Sequence, residues 1–410
     1  MDNGANVAEG RESEMSSDPI VIVGGSRTPM GGFQGELQDV TSPELGAIAI
    51  KGAIERAGIS PDDVEEVIMG CVLSAGCRQV PARQASMGAD ISERAGCTTI
   101  NKACGSGMKA VMLANDLLCA KTNDVMVAGG MESMTNAPYL LTKARGGYRM
   151  GHGEIYDHMF CDGLQDPFKG GDNLMGTFAE NTAEKYQFTR ELQDEFAITS
   201  LKRAKKAGED GTFDHEVSKV TLKTRKGTII VALDEQPRIA NLEKIPRLRP
   251  AFRKDGTVTP ANSSSISDGA AAVVMMRLSE AERRGLTPQA KILGHTTHSQ
   301  DPAWFTTAPV YAIQKLLDKV NWDAKTVDLY EVNEAFAVVT LVAMKEFDLP
   351  HDKVNIHGGA CALGHPIGAS GCRILVTLLN ALEKHDLDRG IASLCIGGGE
   401  ATALAVERLH

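Results

Sequence analysis

Three short stretches of this 410-residue chain hold side chains suited to nucleophilic and acid–base chemistry. In "NKACGSGMKA" (101–110) Cys104 stands just before an apolar helical run. There the positive end of a helix lowers a thiol's pKa and favours thiolate. Gly105 and Gly107 let a second backbone or a ligand carbonyl approach closely. The plain alternative is a small buried hydrophobe. In "NIHGGACALGHPIGASG" (355–371) His365 precedes Pro366, so it sits on a bend where an imidazole can act as base or polarising donor. His357, in the same stretch, reads as a loop histidine bonded to backbone. In "LCIGGGEA" (394–401) Cys395 ends an apolar strand, and the turn from Gly397 to Gly399 offers N–H groups to an oxyanion.

Two further stretches lie at places where α/β sites gather. "VNEAFA" (332–337) puts Asn333 and Glu334 after a strand end. "TVTPANSSSISDGAAA" (257–272) is a serine-rich loop that either wraps a polar ligand tail or caps a helix.

Composition narrows the field. Net charge is −10, which disfavours a general nucleic-acid or anionic-membrane binder. Nine cysteines lack CxxC or Cys/His spacing, so neither a disulfide framework nor a metal site is expected, and a reducing, cytoplasmic setting fits. No apolar run reaches membrane-spanning length. Residues 1–18 are polar and acidic, expected as a disordered leader.

The elements that position these residues recur. "PIVIVGGSRTP" (19–29) reads as a buried strand, 42–59 as a helix with Ser42 at its N-cap, 63–73 as a strand, 107–120 as a helix and 124–133 as a strand. The order returns later, with helices over 308–322 and 368–385 and strands over 326–336 and 391–409. "GSGMKAV" (105–111) matches "ASGCRIL" (369–375) at an offset of about 264 residues, which other pairs keep. Two copies of one strand–helix unit packed as a pseudo-dimer are therefore expected. The first copy spans 19–133 and continues at about 251–285; the second spans 286–410. Between them 134–250 breaks the pattern and reads as a loop domain with its own helix near 189–207. The duplication would bring Cys104, Asn333, His365 and Cys395 to one face, where acyl transfer through a thioester is the natural chemistry.

With these blocks in order, together with "VAGGMESM" (127–134), the chain strongly resembles the thiolase family from about residue 20 to 408, and within it the members that condense acetyl-CoA. The resemblance implies an α/β, duplicated five-layered αβαβα fold with an inserted loop domain. It implies an acylated nucleophile at Cys104, with His365 taking its proton. Cys395 would move the α-proton in a reversible Claisen condensation of two acetyl-CoA. Asn333, through a water, and His365 would form one oxyanion hole, and the N–H groups of Cys104 and Gly397 the other. Ser264 would contact the pantetheine arm of coenzyme A, as would Met175 and the residue before it, here Leu174. Ala335 and Phe336 would line the tunnel, and Arg238 would neighbour the nucleotide. No prosthetic group or metal is implied; the partners are acyl-CoA substrates and further copies of the chain, as a dimer or tetramer. "LLTKARGGYRMGHG" (140–153) resembles a tetramerisation loop and reads equally as a solvated charged loop.

The chain also departs from the pattern. Leu174 stands where acetyl-condensing members carry His, Ser265 where Gly is usual, and Pro260-Ala261 for Ala-Gly. These changes leave the chemistry intact and bear on acyl-chain preference, so a 3-ketoacyl-CoA thiolase of longer range is the alternative. A decarboxylating ketoacyl synthase would show two active-site histidines. A dinucleotide oxidoreductase would need GxGxxG spacing, which "VIVGGSRTPMGGF" lacks. A catalytically dead CoA carrier would not keep every reactive position filled.

Overall fold

The computed structural model describes residues 18–168 and 173–410. The leader expected over 1–18 therefore lies, Asp18 apart, outside the described residues, as do Gly170 to Asp172 of the pantetheine stretch.

Alternating apolar residues build the strands β1 (Ile20–Arg27), β2 (Glu66–Gly70), β3 (Gly96–Ile100), β4 (Val125–Ser133), β5 (Ser267–Arg277), β6 (Ala290–Ser299), β7 (Leu329–Val332), β8 (Arg389–Ile396) and β9 (Glu400–Arg408). The helices that matter to the site are α1 (Ser42–Ala57), α2 (Ser106–Cys119), α3 (Met175–Tyr186), α4 (Arg190–Glu209), α5 (Ala308–Val320), α6 (Ala337–Glu346) and α7 (Ser370–Lys384). The sequence places most of these within a few residues. Strand β2 is shorter than the expected 63–73, because Pro61–Asp63 forms a 3₁₀ turn and the chain leaves the ladder after Gly70. The cap of α1 is Thr41, not Ser42: Thr41 and Glu44 form a reciprocal capping box. The Ser42 hydroxyl instead accepts the Ser133 N–H at 2.8 Å.

Among the described residues these strands run in the order β7-β8-β9-β6-β1-β5-β4-β2-β3. The order reads as a palindrome about the β6–β1 seam. On one side β1–β5 and β5–β4 are antiparallel while β4–β2 is parallel. On the other, β6–β9 and β9–β8 are antiparallel while β8–β7 is parallel. The seam is short, pairing Val21 with Lys291 and Ile22 with Ala290.

Side chains alternate across the strands and so separate five layers. Val21, Val23, Val125 and Val127 point outward to pack with Leu45, Ile50 and Ile54 of α1. Ile20, Ile22, Met126 and Ala128 point inward, where they share a core with Met108 and Met112 of α2 and with Ile374, Leu375 and Leu378 of α7. From the other half Ala392, Leu394, Leu404 and Val406 reach the same central core. Ile391, Ala401, Ala403 and Ala405 face away, toward α5 and α6. A helix between two sheets has no solvent face, and every residue of α7 from Ser370 to Leu382 is buried.

The two central helices touch through equivalent glycines. A Cβ on Gly371 would lie 2.4 Å from the Met108 nitrogen; a Cβ on Gly107 would lie 2.9 Å from the Cys372 nitrogen and 3.0 Å from the Ala369 oxygen. The contacts are reciprocal, as a pseudo-twofold requires. The stretch 134–250 is fastened by buried charge: Arg27 on β1 bonds Glu216 at 2.5 Å and Asp234 at 2.7 Å. Glu216 also accepts from Thr377 and Asn380 of α7.

Gly371→Ala is expected to destabilise the protein by about 1–3 kcal/mol, because backbone rather than a flexible side chain stands in the way. Gly208→Ala, in open space near the end of α4, is expected to leave stability unchanged or slightly raised. Thermal unfolding of the two variants beside the parent checks both; equal melting temperatures would contradict the close helix contact.

Candidate active site

Cys104 does not open a helix. It lies ahead of the N-cap Gly105 of α2, in an isolated bridge with Lys102. Ala103 before it holds φ +44°, a left-handed conformation that costs a residue with a Cβ about 1–2 kcal/mol. The Gly397 N–H and the Cys104 N–H lie near enough to the Cys104 sulfur to favour its thiolate. A Cβ on Gly105 would meet Ile396 at 2.3 Å, so the two chains are in contact here. The turn after Ile396 needs φ +93° at Gly398 and +90° at Gly399, which glycine adopts freely.

The thiol's ionisation reverses the expectation from the helix dipole. Burial pushes Cys104 up to about 11, and the two N–H groups offset only part of that. Burial also drives Cys395 well above its ordinary value, and the neighbouring Cys104 adds to the effect. In the free protein both sulfurs are thiols.

The candidate histidine comes from the α7 half. His365 is buried, and its Nδ1 lies 2.6 Å from the Ser370 hydroxyl, which in turn donates to the Pro366 carbonyl at 3.0 Å. With that proton committed, Nδ1–H donates to Ser370 and Nε2 keeps its lone pair. Nε2 has no hydrogen-bond partner. Burial, then the charge of Arg373, pulls the imidazole down to about 3, so it is neutral at physiological pH. Asn333 follows β7 with its backbone tied to the Ser393 carbonyl at 3.0 Å, while neither Oδ1 nor Nδ2 of its buried side chain has a partner. Buried unpaired polar atoms cost about 1–3 kcal/mol each, and a site awaiting a ligand oxygen accounts for them.

The serine loop joins these pieces. Ser263 bridges Phe336, the Ser264 N–H bonds the Ala335 carbonyl at 2.9 Å, and the Ser265 carbonyl accepts the His365 N–H at 3.1 Å. Ala335 and Phe336 are buried, and the Phe336 ring meets Phe252 edge-on at 6.0 Å. Leu174 caps α3, and the Met175 sulfur lies 3.4 Å from where a Cβ on Gly397 would be. Cys104, Cys395, Gly397 and Met175 thus meet around one turn, and Ser264, Ala335, Asn333 and His365 around one loop.

The Arg238 guanidinium, 40% exposed, pairs with Glu36 and the Asp234 carbonyl. One expectation differs from the structure. His357 is bonded not to backbone but to His385, Nε2 to Nε2 at 3.2 Å. Sequence reasoning missed Ser370, five residues after His365 inside the quoted stretch. It also missed the part played by Glu132, whose carboxylate accepts the N–H groups of Val72, Leu73 and Gly368 at 3.0, 3.1 and 2.9 Å. A lone carboxylate ending the apolar run 125–131 was the available signal.

Among the described residues no group of three or more His, Cys, Asp or Glu is arranged to hold a metal ion, and no helix is long and apolar enough to cross a membrane.

Because the His365 value is lowered, its charged form is expected only below about pH 4. Nitrogen NMR of the imidazole is expected to show the proton fixed on Nδ1 from pH 8 down to pH 5. A titration centred near pH 6.5 would contradict the assignment.

Known proteins carry the same frame. Residues 20–279 match the thiolase N-terminal domain and 286–408 the thiolase C-terminal domain. An acetyl-CoA acetyltransferase of Cupriavidus necator is 48% identical over 391 residues, covering 95% of this chain and 99% of that protein. A cytosolic acetyl-CoA acetyltransferase of Mus musculus is 48% identical over 395 residues, covering 96% and 99%. The crystal structure of the Bacillus anthracis acetyl-CoA acetyltransferase superposes with a TM-score of 0.92 at 41% identity, over 96% of this chain and 99% of that one. The duplicated frame, the thiol held under two N–H groups and these full-length matches agree: the chain belongs to the thiolase family.

Proposed function

We propose that this chain is an acetyl-CoA C-acetyltransferase that condenses two acetyl-CoA to acetoacetyl-CoA and CoA, and runs the reverse thiolysis, by acyl exchange on Cys104. The observation that carries the residue roles is the pair of N–H groups near the Cys104 sulfur beside a second buried thiol. His365 Nε2 takes the Cys104 proton. The thiolate attacks the thioester carbonyl, and the developing oxyanion is held where preorganised donors are worth most. The departing CoA sulfur takes the Cys395 proton, which leaves a strongly basic thiolate opposite the imidazolium. That thiolate removes the α-proton of the second acetyl-CoA. The enolate oxygen is held by His365 and, through a water, by Asn333. Carbon–carbon bond formation on the acetyl group releases the Cys104 thiolate, which takes its proton back from the His365 imidazolium, while Cys395 keeps the α-proton as a thiol and returns it in the reverse direction. Neither half needs a prosthetic group.

Coenzyme A reaches the site between the serine loop and α3, along Ser264, Leu174, Met175, Ala335 and Phe336. We divide the chain as the duplication suggests: halves at 19–133 with about 251–285 and at 286–410, and a loop domain over 134–250. The hairpin around Tyr139–Leu140 and Tyr156–Asp157 exposes Leu141, Met150 and Ile155, with Met150 98% exposed. Such a patch supports assembly as a homo-oligomer, a dimer or tetramer. A cytoplasmic setting is consistent with the mouse relative, which is named cytosolic. The second reading, a 3-ketoacyl-CoA thiolase of broader chain range, rests on Leu174, which sets an apolar side chain at the mouth.

Cys104→Ser is expected to abolish thiolysis of acetoacetyl-CoA followed at 232 nm; surviving activity would remove Cys104 as nucleophile. Cys395→Ala is expected to lose condensation while Cys104 is still acylated by acetyl-CoA, and equal loss of both steps would overturn that division. Leu174→His is expected to shift kcat/KM toward short acyl chains, read across a series of 3-ketoacyl-CoA lengths. An unchanged profile would clear Leu174 of chain-length control.

A further inference from the structure

Behind the nucleophile lies a second pair of sulfurs that the mechanism does not use. Cys71 leaves β2 buried, and Cys77 lies half-buried on the turn that follows. The two sulfurs lie close enough for each to shift the other's ionisation. Cys71 also donates to Glu132 Oε1 at 3.7 Å, and Cys77 approaches the Leu73 carbonyl at 3.7 Å. Cys77 lines an open cavity of about 510 Å³ shared with Ser42, Arg78 and Asn136, so a small oxidant reaches it while Cys71 stays sheltered.

The turn is strained. Arg78 holds φ +65° and the β-branched Val80 φ +42°, a conformation that costs such residues about 1–2 kcal/mol each. Side-chain anchorage comes from Gln84, which donates to the Cys77 and Gln79 carbonyls. The two sulfurs need a closer approach to reach the bonded separation of about 2.05 Å, and a strained turn supplies it. The nearby Cys71 thiol, with help from the Ser42 hydroxyl and against burial, lowers Cys77 below its ordinary value. Cys104 is held up to about 11. Of these two thiols, Cys77 is therefore the more readily ionised at neutral pH.

Val72 and Leu73, next to Cys71, belong to the apolar cluster with Met159 and Ile367 against which Cys104 packs. Their N–H groups are held by the same Glu132 carboxylate that holds Gly368, three residues after His365. A displacement of Cys71 therefore reaches both the nucleophile's wall and the base's loop.

We propose that Cys71 and Cys77 form a peroxide-sensitive dithiol whose disulfide reshapes the wall of the acyl-transfer site and slows the enzyme reversibly. The Cys77 thiolate attacks a peroxide oxygen and the O–O bond breaks. The sulfur keeps one oxygen as sulfenic acid and the other departs as water or alcohol. The Cys71 sulfur then attacks the Cys77 sulfur, the S–O bond breaks, and its own proton leaves with the oxygen as water. Two thiols are oxidised by two electrons and one peroxide is reduced.

Trypsin releases both cysteines in one peptide, Ala57–Arg78, which contains no other. The full-length protein treated with hydrogen peroxide is expected to yield this peptide lighter by two hydrogens and resistant to alkylation. The same change is expected in Cys104→Ser, since the nucleophile takes no part. The proposal rests on the acyl-transfer reading only for its second readout. Acetoacetyl-CoA thiolysis is expected to fall on the order of tenfold, as a small displacement at a reacting centre does, and to return with dithiothreitol. Cys77→Ser is expected to keep its activity at the same dose. Two alkylatable thiols in the peptide at a dose that inactivates the enzyme would overturn the proposal. So would a disulfide that leaves the rate unchanged, or inactivation of Cys77→Ser as fast as the parent. Absence of thiolysis in the untreated, reduced protein would instead fault the functional reading.

Discussion

The molecule turns on a contact with no side chains in it. Gly107 and Gly371 allow α2 and α7 to meet backbone to backbone between the two sheet halves. Cys104 sits just ahead of one helix and His365 just ahead of the other. The close helix contact therefore ties the segment that carries Cys104 in the first copy to the segment that carries His365 in the second. The β6–β1 seam cannot do this alone, because it pairs only two residues on each strand. The central core of Met, Ile and Leu from both halves holds the helices in place once the glycines have set the distance.

Burial is the second constraint, and it sets the chemistry rather than opposing it. Dry surroundings hold both cysteines as thiols and His365 as a neutral imidazole. Each sulfur is thereby a stronger base as thiolate than it is in water, and the imidazole, once protonated, a stronger acid. Proton transfer between them separates charge only when substrate is present, and the donors at Cys104 and Gly397 need no reorganisation at that moment. The unpaired atoms of Asn333 and His365 Nε2 are the stability cost of that preparation. The same logic explains Glu132: its three N–H donors fix Val72, Leu73 and Gly368 against one carboxylate, so the floor of the site and the histidine loop move together.

Much of this was legible in the sequence, and for definite reasons. The repeat at about 264 residues pairs Gly107 with Gly371, so the duplication carries its own symmetry contact. Strand alternation and the Gly-rich stretches placed Cys104, Asn333, His365 and Cys395 at element ends. What escaped depends on distances that sequence spacing does not encode. The direction of the Cys104 shift follows from how deeply its surroundings close over it, which outweighs the helix end. The pairing of Arg238 with Glu36, about two hundred residues away in the chain, is another such distance. Thr41 and Ser42 are both good caps, and only the competing claim of the Ser133 N–H on Ser42 decides between them.

The stretch 134–250 illustrates how a long segment is kept from drifting. Its backbone meets β1 at one place, where the Arg27 N–H bonds the Glu216 carbonyl at 2.8 Å and the Ser218 N–H bonds the Arg27 carbonyl at 2.7 Å, so side chains must add to the hold. Arg27 does, bonding Glu216 and Asp234 from two separate places in the insertion while Thr377 and Asn380 of α7 add their own bonds to Glu216. A buried arginine without those carboxylates would be untenable, and the carboxylates without it equally so. The charges therefore specify one seating of the insertion rather than adding stability at large. Within the same stretch the Met175 sulfur lies 3.4 Å from where a Cβ on Gly397 would be, so the segment also reaches the glycine turn of the second half.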